Sequence, residues 1–120
     1  MTVSRLNSVE IFGIAIKSEI EAARAYQQIA TLVARPDVKR KLRFLREEER
    51  RHRSLLEEMY RRDYPDIKLI LPAQGLAPTL STAVDQNLPV PRLFALAMKA
   101  ERQSEKFYAE NARRSESQSG

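Results

Sequence analysis

The sequence predicts an all-α fold, a bundle built on an antiparallel helix hairpin. Three observations carry this. Apolar residues recur at steps of three and four over long stretches. Prolines fall between those stretches rather than inside them. The one apolar run that could be extended, Ile67-Lys68-Leu69-Ile70-Leu71, has no partner run with which to form a sheet.

The first helix is expected over about 8–34. Asn7 or Ser8 can cap it, and Val9, Phe12, Ile16, Glu19, Ala23, Tyr26, Ala30 and Val33 form an unbroken stripe. Glu19 stands inside that stripe, whereas Glu21 lies off it and reads as a solvent charge. Arg35-Pro36-Asp37 ends the pattern. Proline suits a first helical turn and cannot continue the preceding helix. The second helix is therefore expected over about 37–62, antiparallel to the first because the connection is short. Its seam is Val38, Leu42, Leu45, Glu49, His52, Leu56 and Met59. Glu49 and His52 thus fall at two consecutive core positions, and His52 is the single histidine of the chain. Ionisable groups at core positions are costly unless paired, neutralised or metal-bound. Antiparallel packing sets Glu19, Glu49 and His52 at one height near the middle of the hairpin.

Residues 63–91 carry Pro65, Pro72, Pro78, Pro89, Pro91 and Gly75. This segment reads as a strap over the bundle, with a short helix over 79–86, long enough to cross from one end to the other. A third helix is expected over about 92–114, with Phe94, Ala97, Glu101, Ser104, Tyr108 and Ala112 on one stripe. One helical domain spans 1–114, and the small polar residues 115–120 read as a disordered tail. An internal repeat links the first and third helices. Ala15-Ile16-Lys17-Ser18-Glu19 matches Ala97-Met98-Lys99-Ala100-Glu101, and a tyrosine, Tyr26 or Tyr108, follows each glutamate by seven. Such a tyrosine can orient a carboxylate from behind a metal ligand, or simply pack in the core.

Composition excludes several chemistries. With no cysteine there is no disulfide, thiolate metal site or cysteine nucleophile. Gly13, Gly75 and Gly120 are isolated, so no glycine-rich phosphate loop exists. No signal peptide or membrane span is expected, and a cytoplasmic protein is. The net charge is +5, and residues 35–62 alone hold 11 Lys or Arg against 6 Asp or Glu. A basic face can grip nucleic acid through Arg40, Arg43, Arg46, Arg50 and Arg53. Interleaved glutamates favour a solvated helix face instead, and no recognition motif supports nucleic acid.

Glu19, Glu49-x-x-His52 and Glu101 together resemble the ligand pattern of the ferritin-like, rubrerythrin-type di-iron carboxylate family. In that family each of two helix pairs gives one glutamate from its first helix and Glu-x-x-His from its second. The resemblance covers about 8–114 and implies a di-iron site, with manganese as the alternative metal. It implies Glu19, Glu49, His52 and Glu101 as ligands and Tyr26 and Tyr108 as their supports. The implied chemistry is oxidation of Fe(II) by dioxygen or peroxide, for iron handling or peroxide detoxification. Two features depart from the family. The second Glu-x-x-His is absent from the sequence, and without cysteine there is no rubredoxin-type domain. A two-fold homodimer would supply Glu19, Glu49 and His52 twice and complete both the bundle and the site. The competing reading is a metal-free helical dimer or adaptor, in which the same residues form a buried polar network that fixes pairing.

Overall fold

The computed structural model describes residues 7–76, 80, 82, 83, 86 and 88–119, with side chains to 111. Among them lie three long helices and no strand: α1 (Ser8–Leu32), α2 (Pro36–Asp63) and α3 (Val90–Ser119). None of these helices is long and apolar enough to cross a membrane.

Each helix starts where local chemistry places it. Asn7 caps α1 through a capping box: its side chain accepts from Glu10 N–H at 2.8 Å, and Asn7 N–H donates to the Glu10 carboxylate at 3.2 Å. α1 stops at Leu32, short of the expected 34, because Val33 is already extended (φ −94°, ψ 146°). Arg35, before Pro36, is extended too (φ −72°, ψ 125°), as the proline ring requires of its predecessor. Arg35 then clasps Asp37 in the first turn of α2 through two hydrogen bonds, at 2.8 and 3.2 Å. α3 begins at Val90 with Pro91 in its first turn. It continues to Ser119, so the backbone of 115–119 is helical where a disordered tail was expected. No proline or glycine interrupts that stretch.

α1 and α2 are antiparallel. Phe12 meets Tyr60 at one end, with ring centroids 5.6 Å apart, and Gln27 meets Arg46 towards the other. α1 and α3 are antiparallel as well, since Glu19 meets Tyr108 while Tyr26 meets Glu101. α3 therefore starts at the end of the bundle opposite to where α2 finishes, and the strap must climb the full length of α1. The contacts run in that order. Tyr60 donates its hydroxyl to Ile67 O at 2.9 Å, Ile70 O lies over Gly13, and Gly75 and Leu76 dock beside Ser18 and Glu21. Further up, Leu80 and Ala83 enter the main core. Leu80, Thr82 and Ala83 are helical, while the rest of the short helix expected over 79–86 lies largely outside the described residues.

α1 is the central helix, packed against both α2 and α3. Among the described residues no Cα of α2 comes within 8 Å of one in α3. The core gathers at the upper end, where Ile29, Leu42 and Leu93 are fully buried with Tyr26, Ala97 and Ala100. At the lower end Ile16 is fully buried above Phe12, Tyr60 and Tyr64. The carboxylates lie between these two apolar blocks.

Candidate metal centre

Glu19 on α1 and Glu49 on α2 are buried, with 5% and 7% of their surface exposed. One turn on from Glu49, His52 turns its Nδ1 toward both, 3.6 Å from Glu19 Oε2 and 3.8 Å from Glu49 Oε2. Taking one ligand atom from each, the three residues lie within 4.8 Å of one another. An ion held at about 2.0–2.2 Å from each donor needs them only slightly closer. Glu101 comes from α3 and lines the same cavity, so three carboxylates share one space. They line a cavity of about 210 Å³ together with His52, Tyr108, Leu76 and Leu80.

This arrangement is electrostatically costly for a chain without a cation. Burial, together with the neighbouring Glu19 and Glu101 carboxylates, raises the Glu49 carboxyl to about 10. A proton shared among the carboxyl groups removes part of the repulsion. Glu19 Oε2 is buried and has no hydrogen-bond partner among the described residues. An unpaired buried carboxylate oxygen costs about 3 kcal/mol or more of lost solvation. It faces the imidazole across a gap too wide for a hydrogen bond. A cation between them meets all three needs, and a set of carboxylate and imidazole donors without sulfur suits iron or manganese. The residues present therefore fit a metal.

The two tyrosines are crossed between the repeats. Tyr26 of α1 donates to Glu101 of α3 at 2.6 Å, and Tyr108 of α3 donates to Glu19 of α1 at 2.7 Å. Burial, reinforced by those carboxylates, pushes both phenols far above their ordinary range, so they stay protonated donors.

All the expected ligand residues converge, with one difference. His52 was expected in the core, yet its side chain is 54% exposed. Among the described residues no Cα of α3 comes within 8 Å of one in α2, and more than half of the imidazole side chain stays exposed. Sequence reasoning also misassigned Glu21. Its carboxylate is half-buried and accepts Gly75 N–H at 2.6 Å, while Ser18 Oγ accepts Leu76 N–H at 2.9 Å. These bonds hold the strap, and with it Leu76, against the cavity. The isolated Gly75 in a proline-rich segment was the available signal.

The family model for rubrerythrin matches residues 10–119. The chain belongs to the rubrerythrin family. No curated protein matches it. A hypothetical protein from Pyrococcus furiosus has a similar fold, with a TM-score of 0.57, 19% identity and 88% of each chain covered. Against the family pattern, this rubrerythrin-family chain places one Glu-x-x-His beside two further glutamates.

Proposed function

We propose that this protein binds iron at Glu19, Glu49, His52 and Glu101 and acts as a ferritin-like oxidoreductase on Fe(II). The carrying observation is the buried, unpartnered Glu19 Oε2 facing His52 and Glu49. Bound iron supplies electrons to dioxygen or peroxide, and manganese has the same ligand preferences. Glu19 and His52 are terminal donors in this reading. Glu49, which shares the cavity lining with Glu19 and Glu101, would hold the metal together with them. Glu49 must release its proton to bind, so metal uptake liberates a proton. Tyr26 and Tyr108 hold the outer carboxylates in place, and Leu76 and Leu80 exclude water from one side.

One chain offers three glutamates and one histidine. A second copy, seated on the open side between α2 and α3, completes the site in this reading. It would bring a Glu49-x-x-His52 of its own. Metal analysis of protein purified with iron supplied, run beside a sizing measurement, tests both parts. Bound iron in a dimer is expected, with metal and Fe(II) oxidation lost in Glu49→Ala and His52→Ala variants that stay folded. A folded monomer that binds no iron would sink the proposal.

A further inference from the structure

The surplus of positive charge on α2 has a focus. Between α1 and α2 lies a cleft of about 290 Å³ to which α3 contributes nothing. Its walls are Arg50 and Arg53 from α2 and Arg24 and Gln27 from α1, over a floor of Ile20 and Ala23. Arg50 and Arg53 are three apart and so share a face, while Arg24 approaches from the opposite wall. Arg46, one turn before Arg50, closes one end by donating to Gln27 Oε1 and Glu47.

We propose that this cleft binds a phosphate-class oxyanion. Each guanidinium carries five N–H donors. Arg50 spends one on Glu47, at 3.0 Å, and Arg53 lies 3.5 Å from Glu57 through its Nε. Both keep donors to turn into the cleft. A planar carboxylate engages one guanidinium fork. A tetrahedral oxyanion presents oxygens in several planes and suits arginines on facing walls. The apolar floor lowers the local dielectric and strengthens each contact.

Glu19 also lines the cleft. One of its oxygens is taken by the Tyr108 hydroxyl, and the other is buried on the side of His52. The Glu19 oxygens are thus engaged by Tyr108 or turned toward His52, and three guanidinium groups in the cleft lining outnumber that one carboxylate. Glu19 lines both sites, but the arginines take no part in the proposed metal ligation, and anion binding by them does not depend on it.

The test uses the metal-free full chain and two probes, inorganic phosphate and a short DNA duplex. Titration followed by calorimetry or phosphorus NMR is expected to show one saturable phosphate site per chain. Arg24→Gln and the double variant Arg50→Gln/Arg53→Gln each weaken it by at least about tenfold, the worth of a charge-assisted hydrogen bond. Arg40→Gln/Arg43→Gln, on the same helix but outside the cleft, leaves it unchanged. Circular dichroism confirms folding of each variant, whose altered residues are all exposed. Phosphate that does not saturate overturns the proposal. So does binding of DNA alone that weakens equally in the Arg40/Arg43 and Arg50/Arg53 variants, because that describes a diffuse basic face with no built cleft.

Discussion

Gly75→Ala is a one-atom test of how the cavity is closed. A Cβ at Gly75 would lie 2.6 Å from Glu21 Oε1, 2.6 Å from Ser18 Oγ and 2.8 Å from Ser18 Cα. The two side-chain oxygens can rotate away, but only by giving up the bonds they make. The Ser18 Cα belongs to the backbone of α1 and cannot yield. The strap must therefore lift, and two hydrogen bonds go with it. Gly75 N–H to the Glu21 carboxylate is charge-assisted and worth about 1.5–3 kcal/mol. Leu76 N–H to Ser18 Oγ is neutral and worth about 0.5–1.5 kcal/mol. The expected loss is about 2–4 kcal/mol, a large share of the ~5–15 kcal/mol that stabilises a domain. Glu21→Ala removes only the first bond and should cost less. Urea denaturation gives the magnitude, and hydrogen exchange at the Gly75 and Leu76 amides gives the location. If Gly75→Ala stays within about 0.5 kcal/mol of the parent and both amides remain protected, the strap is not held as described.

Three further outcomes are expected. In the metal-free chain Glu49 keeps its proton up to about pH 10, against an ordinary 4.5. The folded chain then binds a proton that the unfolded chain has released. Stability from this group is complete below about pH 4.5 and is lost as pH rises toward 10, by at most about 1.4 kcal/mol per pH unit. Urea midpoints measured across that window should fall with pH and flatten in Glu49→Gln; midpoints that rise would refute the assignment. Tyr26→Phe and Tyr108→Phe each leave a carboxylate without its support, and metal affinity should drop by about 10–100-fold with helicity unchanged, as read by competition with a chelator. Leu93→Ala, at a fully buried position far from the ligands, should cost about 2–5 kcal/mol in thermal or urea unfolding. It should leave metal stoichiometry intact, which separates general destabilisation from loss of the site.

Much of the fold is legible because its signals are local. Asn7, Pro36 and Pro91 mark helix starts through their own backbone chemistry, and the three-and-four stripes mark faces. What is not legible is tertiary. The seam through Leu45, Glu49, His52 and Leu56 says where these side chains point, but not whether anything stands there to bury them. Glu49 shares its cavity with Glu19 of α1 and Glu101 of α3 and is buried; His52 turns Nδ1 toward Glu19 and Glu49 but leaves more than half of its side chain exposed. Glu21 lies off the stripe that faces α2, so only the path of the strap reveals its role. The crossed tyrosines were within reach of the sequence. Seven residues of helix span about 10 Å, too far for Tyr26 to serve Glu19. Two antiparallel copies of the repeat put each tyrosine level with the other copy's glutamate.

That crossing ties the remaining features together. The repeat relates α1 to α3 by an approximate two-fold turn. Applied to α2, the same turn generates a helix against α3, across the gap that α2 and α3 leave open. Such a helix would carry a Glu-x-x-His and would cover the exposed face of His52. The shortage of ligands and the exposure of His52 are then one fact, and the proposed second copy accounts for both. Because His52 is the single histidine, its reaction with diethylpyrocarbonate reports on this directly. If a second copy fills the gap, the carbethoxylation rate falls as protein concentration rises through the dimerisation range, and it falls further with metal. A rate that stays constant over that range, in a sample shown by sedimentation to associate, would place the contact on some other face and leave the ligand shortage without its explanation.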